Sequence, residues 1–263
     1  MSEHALSNLN VLVTGGGSGI GLACAEAFVK DGANVTLMGR RMDRLESAKS
    51  SMADRYGADS IELAQGDVAN EADVVRAIEI ASRNQHLDIV VASAGRGALA
   101  PFASTDSQDW NDVMATNLNG TFFTFKHAAR HMKTGGAMCA ISSIAGVRTH
   151  RLMSTYCVSK AGIDMLVRNL ADELGEQGIR VNSVCPGLVE TELASALLGT
   201  PPVLEDYLNC MPIRRHGSVE DIAQAVRFLC GPESSWITGV VLSVDGGHHL
   251  RRGPDLTPFM APA

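Results

Sequence analysis

The sequence predicts an α/β fold, a single-domain Rossmann-type arrangement whose seven-stranded parallel sheet is flanked by helices on both faces. Three observations carry that prediction. Short runs rich in β-branched residues recur along the chain, helix-length segments separate them, and the runs are continuously apolar, as strands buried on both faces are. Such a sheet needs crossover helices on each side.

The elements follow in order. NVLVT (10–14) is the first strand, and the glycine-rich VTGGGSGIG (13–21) turns the chain from it into a helix. NVTLM (34–38), SIELAQ (60–65) and DIVVAS (88–93) are the next three strands, each followed by a helical stretch. AMCAIS (137–142), IRVNSVC (179–185) and VVLSV (240–244) complete the seven. Gly32 and Gly178 each end a helical pattern just before a strand, where a C-terminal cap belongs. Within 156–178, Ile163, Leu166, Val167, Leu170 and Leu174 share one helical face. No linker-like tract interrupts residues 1–263, which read as one domain. Two stretches stand apart: 188–216, expected to form a substrate lid, and the proline-marked tail 248–263, read as an arm docked on a neighbouring subunit.

Composition limits the function. Hydrophobic residues at 45% and charged residues at 19% supply a core and exclude disorder. A net charge of −7 argues against a nucleic-acid or anionic-membrane surface, so any phosphate site must be local. The six cysteines show no C-x-x-C or Cys/His ligand spacing and read as reduced thiols, with no metal site. The opening MSEHALSNLNVLVTGG lacks the basic and apolar regions of a secretory signal, and a cytoplasmic location is predicted.

Glycines between a strand and a helix let the backbone approach a pyrophosphate, which then rests on the helix N-terminal amides. Gly15, Gly19 and Gly21 are the candidates, although T-G-x-x-x-G-x-G departs from the G-x-G-x-x-G spacing. At the end of the second strand, where a ribose-binding carboxylate is sought, the chain reads TLMGRR. Arg40 and Arg41 offer guanidiniums to a ribose 2′-phosphate, which favours NADP(H) over NAD(H); the alternative is that both merely solvate the surface. Asp67, closing the third strand, either reaches the adenine or caps the helix that begins near Glu71.

STYCVSK (154–160) puts Tyr156 one helical turn ahead of Lys160. Ser142 and Ser143 end the fifth strand, and Asn117 lies inside a helical segment that asparagine does not favour. With TGGGSGIG, Asp67-Val68, SAG (93–95), PG (186–187), Thr191 and ITGVVLSVDGG (237–247), these motifs make the chain resemble the short-chain dehydrogenase/reductase family, in its compact form and 3-oxoacyl-reductase-like, from about residue 7 to 247.

The resemblance implies transfer of a hydride between a nicotinamide and a carbonyl or secondary alcohol. Tyr156 is then the general acid/base, Ser143 the hydrogen-bond donor to the substrate oxygen, Lys160 the cation that favours phenolate, and Asn117 the holder of a proton-relaying water. Drawing a phenol from about 10 to neutrality takes roughly 4 kcal/mol, which a close ammonium and an oxidised nicotinamide can provide. Cofactor contacts are implied for Gly15, Ser18, Gly19, Ile20, Gly21, Arg40 and Arg41 along the phosphates and ribose. Asp67, Val68, Ala94 and Gly95 are implied around the adenine and its ribose. Tyr156, Lys160, Pro186, Gly187, Val189 and Thr191 complete the nicotinamide end. Ser93 replaces the family's usual asparagine, which puts local rigidity in question. The resemblance also implies a homotetramer, paired through the helices after the fourth and fifth strands.

Leu193, Leu197, Leu198, Val203, Leu204, Tyr207, Leu208 and Met211 either cover an apolar substrate or pack on one another. His150 reads as an exposed loop residue more readily than as a pocket wall, and His127 and His131 as surface or interface residues. An NAD-dependent dehydrogenase of the same family is the nearest alternative function. A non-catalytic nucleotide sensor is the remoter one, disfavoured by the complete Asn117, Ser143, Tyr156 and Lys160 set.

Overall fold

Alternate residues of each central strand face opposite sides, and both sides are apolar. Val11 and Val13 of β1 (Asn10–Thr14) join one hydrophobic cluster while Leu12 joins the other. The sheet therefore has to be covered twice. The computed structural model describes residues 5–57, 60–83, 85–253 and 256. In it β2 (Asn34–Gly39), β3 (Ile61–Gln65), β4 (Leu87–Ala92), β5 (Met132–Ile141), β6 (Arg180–Pro186) and β7 (Val241–Val244) join β1 in the order β3-β2-β1-β4-β5-β6-β7. Every pairing is parallel, with Val11 opposite both Val35 and Ile89.

On one face lie α1 (Gly19–Lys30), α2 (Met42–Tyr56) and α9 (Val219–Cys230), which bring Phe28, Leu45, Met52, Ile222 and Leu229 to the core. On the other, α3 (Glu71–Ser82), α5 (Gly120–Ala128) and α6 (Ser154–Gly175) contribute Ile78, Phe125, Ile163 and Val167. Each such buried side chain contributes about 1.5–3 kcal/mol relative to exposure. The predicted glycine caps are met, with Gly32 at φ +87° and Gly178 at φ +72°. Asp67 does not cap α3. Asn70 does, its side chain accepting from the Ala72 amide at 3.1 Å, while Asp67 Oδ1 turns to the Ala69 amide at 3.0 Å.

Between α4 (Ser107–Val113) and α5 the helix widens into a π turn over Met114–Asn119, with Asn117 buried inside it. Residues 188–216 fold into a short turn of 3₁₀ helix, then α7 (Ser195–Leu198) and α8 (Pro201–Cys210). Their two stems meet at a neck, where Gly217 donates to Leu188 O at 2.8 Å and accepts from the Glu190 amide at 3.0 Å. Above the neck Val203, Tyr207 and Met211 pack with Leu188, Ala194 and Leu256 in a small core of their own. The described part of the tail packs on its own chain: Arg252 pairs with Asp206 of α8, and Leu256 is buried in that core. The rest of the expected arm, residues 254, 255 and 257–263, lies outside the described residues.

Candidate active site

Ligands of an open parallel sheet bind beyond the carboxyl ends of its strands, where the strand order reverses. Here that point lies between β1 and β4. Gly15 sits there at φ +68°, and a Cβ on it would come within 2.9 Å of the Ala94 amide nitrogen. At Gly21 a Cβ would be 2.3 Å from Gly15 O, so α1 can start against the turn only without a side chain. Thr14 fixes the facing strand end, its Oγ1 accepting from the Ser93 amide at 3.1 Å and the Ala94 amide at 3.3 Å. That buried threonine holds the loop in place despite serine at position 93.

A cavity of about 420 Å³ opens over this edge. Gly15, Ser18, Gly19, Ile20 and Gly21 form one end, Ala94 and Gly95 the middle, and Ser143, Tyr156, Lys160, Pro186, Gly187, Val189 and Thr191 the other. The helical periodicity of α6 places Tyr156 and Lys160 one turn apart, with the Lys160 Nζ 5.5 Å from the centre of the Tyr156 ring. Lys160 is buried and donates to Ile141 O at 2.7 Å. Burial pushes its pKa down to about 8, opposed by the nearby charge of Asp164. Burial likewise pushes Tyr156 up to about 12, with a hydrogen bond to Ser143 pulling the other way. The protein alone therefore keeps the phenol protonated rather than bringing it toward neutrality.

Ser143 stands at the turn after β5, its Oγ accepting from the Ala145 amide at 3.1 Å. Ser142 also borders the cavity, but its hydroxyl donates to Lys160 O at 3.3 Å. Asn117 is not on the cavity wall. Its Oδ1 accepts from the Arg96 amide at 2.9 Å, and its Nδ2 donates to Arg96 O at 2.9 Å and Ser159 Oγ at 3.0 Å. It still borders the centre, because a Cβ on Gly95 would lie 3.5 Å from Asn117 Oδ1 and 3.8 Å from Lys160 Nζ.

Arg40, Arg41, Asp67 and Val68 are not among the residues that line the cavity. Arg40 is exposed beside Asp67 at 3.9 Å, and Val68 packs against Gly120. Arg41 and Arg44 both reach Glu192, each at 3.7 Å. Arg44 and Glu192 carry no motif, so no local signal announces these contacts between the start of α2 and the 188–216 segment. Asp164 is another residue missed: it is buried on α6 one turn past Lys160 and accepts from Ser183 Oγ at 3.0 Å. Its i+4 spacing from Lys160 was the available signal.

His150 corrects the sequence reading. It is buried, lines the cavity, and stacks among rings with Tyr207 at 6.5 Å and His248 at 6.0 Å. His127 instead meets Glu71 Oε1 at 2.6 Å between α5 and α3. Leu193, Leu197 and Tyr207 reach the cavity, so the apolar set of 188–216 serves both as wall and as its own core. Among the described residues no cluster is arranged to hold a metal, and no helix is long and apolar enough to cross a membrane.

A Rossmann-type sheet with a glycine turn at its reversal point, and a serine, a phenol and an ammonium gathered at the same edge, defines a class of dinucleotide-fold oxidoreductases. Comparison with known proteins agrees. Residues 15–249 match the family model described as enoyl-(acyl carrier protein) reductase. The chain is 35% identical over 240 residues to galactitol 2-dehydrogenase (L-tagatose-forming) of Cereibacter sphaeroides, covering 90% of this chain and 93% of that protein. A solved short-chain type dehydrogenase/reductase from Mycobacterium ulcerans superposes with a TM-score of 0.92 at 40% identity, over 97% of this chain and 95% of the other. A gluconate 5-dehydrogenase from Burkholderia cenocepacia J2315, in complex with NADP and tartrate, gives a TM-score of 0.88 at 28% identity over 95% and 98% of the two chains. The chain belongs to the short-chain dehydrogenase/reductase family and is an oxidoreductase of CH–OH and C=O groups.

Proposed function

We propose that this enzyme interconverts a ketone and its secondary alcohol with NADP(H), Tyr156 exchanging the proton. The observation that carries the reading is the meeting of Ser143, Tyr156 and Lys160 in one cavity that also reaches the glycine turn. The turn fits a dinucleotide: Gly15 and Gly21 pack where no Cβ would fit, which holds the turn's backbone close against the start of α1, and Ser18 precedes α1 without its side chain capping the helix. Bound there, the nicotinamide supplies or accepts the hydride.

The chain's residues handle the proton. Ser143 Oγ holds the substrate oxygen while Tyr156, protonated at neutral pH, donates to it. The Lys160 ammonium stabilises the phenolate left behind, and the gap beside Gly95 between Asn117 and Lys160 is where a water returning the proton belongs. In the alcohol-oxidising direction Tyr156 accepts the proton along the same route. Loss of reduced-nicotinamide absorbance with a panel of ketones, present in the wild type and lost in Tyr156→Phe, tests the whole reading.

The buried ammonium sets a pH dependence. Since Lys160 stabilises the phenolate only while charged, kcat/KM for ketone reduction should be flat below, and fall above, about pH 8. A profile of kcat/KM against pH with no break in that region would remove Lys160 from this role.

Arg40 supports the choice of NADP(H), being the exposed cation directly after β2. Arg40→Ala should weaken NADPH about 10–100-fold and leave NADH within about twofold, read by fluorescence titration. One observation favours NAD(H) as the second reading: Arg40 and Arg41 already face Asp67 and Glu192. Equal losses for the two nucleotides, or none, would establish that alternative. We also propose a homotetramer in the cytoplasm, supported by the exposed Trp110 and Phe122 on α4 and α5 and Val158 and Met165 on α6.

A further inference from the structure

Beside Tyr156 the cavity holds polar groups that the proton chemistry does not use. Tyr207 is 4% exposed and lines the cavity, and among the described residues its hydroxyl makes no hydrogen bond. Its neighbour His150 uses only Nδ1, at 3.4 Å from Arg148 O. The tautomer that donates there leaves Nε2 as a bare acceptor. Behind both, His248 is fully buried, turns its ring edge-on to Tyr207 at 5.6 Å, and has an Nδ1 with no partner among the described residues. Of these only His248 Nδ1 is buried without a partner among the described residues, while the Tyr207 hydroxyl and His150 Nε2 stand unbonded on the cavity wall; a buried polar group is normally satisfied, so the patch points to a polar group that arrives with the ligand.

The surroundings define that group. Among the described lining residues the only cation is Lys160, already bonded to Ile141 O, and the only carboxylate is Glu192, paired with Arg41 and Arg44. A carboxylate, sulfonate or phosphate on the substrate would be left without a counter-charge. Leu99, Ile144, Met153, Leu188 and Leu197 make the remaining wall apolar. Burial keeps His150 neutral, its pKa pushed down to about 4, and keeps the Tyr207 phenol protonated as a donor.

Resting on the reductase reading above, we infer that His150 and Tyr207 form a second polar subsite for an uncharged, largely apolar ketone that carries a hydroxyl away from the reacting carbonyl. A hydroxyl satisfies both partners, accepting from Tyr207 and donating to His150 Nε2. A second carbonyl would satisfy Tyr207 alone, and a carboxylate would meet the lone pair of Nε2. The subsite thus ranks hydroxyl above carbonyl above hydrocarbon.

The test compares kcat/KM with NADPH for an eight-carbon methyl ketone and the set of its monohydroxylated derivatives, isomers of one another with the hydroxyl at each chain position. At least one isomer should exceed the parent by about tenfold, chiefly through KM, and that ratio should fall to near one in Tyr207→Phe and in His150→Leu. Phenylalanine preserves the ring contacts with His150 and His248, so the ratio remains readable if the leucine variant does not fold. Reduction of the parent with no preference for any isomer, or a preference that survives Tyr207→Phe, overturns the subsite alone. An enzyme that binds NADPH and reduces none of the series overturns the reductase reading together with it.

Discussion

Tyr156→Phe should lower kcat for ketone reduction by about a thousandfold while the fold and its melting temperature stay close to wild type. Only one oxygen is removed, and the ring that lies 5.5 Å from Lys160 Nζ remains. What disappears is the proton donor, together with the partner of Ser143. General acid catalysis is worth about 10²–10⁴-fold, and a thousandfold corresponds to about 4 kcal/mol of barrier. Because the phenol acts as the substrate oxygen gains charge, the loss should fall on kcat rather than KM. Single-turnover oxidation of bound NADPH reads this step directly. A loss below about tenfold would mean that the proton comes from another donor.

The second large effect is expected at Gly21. In Gly21→Ala the new methyl would stand 2.3 Å from Gly15 O, far inside the closest approach of a non-bonded carbon to an oxygen, so the first turn of α1 has to move. Gly15 cannot yield in response, since its own α-carbon faces the Ala94 backbone at a distance where a Cβ would be 2.9 Å away. The displacement disturbs the turn on which the proposed pyrophosphate site rests. Dinucleotide affinity should drop by about a hundredfold or more, and stability by about 1–3 kcal/mol. Isothermal titration and a denaturant melt measure the two. Gly57→Ala is the matched control: at φ +93° with nothing within 4 Å, it brings backbone strain of about 1 kcal/mol and should leave nucleotide affinity alone.

Much of this architecture was legible because it is written in local patterns. Strands buried on both faces are continuously apolar, so β1, β4 and the buried half of β5 announce themselves, whereas the largely exposed, polar first half of β5, 132–136, went unread; the glycines at 15, 19 and 21 mark a turn that side chains would obstruct. Tyr156 and Lys160 were visible because their spacing is that of one helical turn. What escaped depends on chain segments far apart in sequence. His150 is buried by a ring from residue 207 and another from residue 248, and nothing around position 150 records either. Asp67 and Asn70 are both competent caps, and only the actual start of α3 decides for Asn70. Asn117 stands out in a helix, yet its hydrogen bonds to the backbone of Arg96, 21 residues earlier, follow from the loop after β4 lying against the π turn. The phenol's raised pKa is likewise a property of enclosure, which spacing does not report.

The neck formed by Leu188, Glu190 and Gly217 has an evolutionary consequence. Everything between its stems is fastened to the sheet at that closure and carries a small core of its own, while the proposed proton-handling residues sit at the turn after β5 and on α6. Substitutions, and even changes of length, between the stems can therefore be sampled without remaking the catalytic frame. Descendants of one ancestral catalyst can diversify what they accept by revising this one cassette, as separately inherited as the bit of a drill is from its motor.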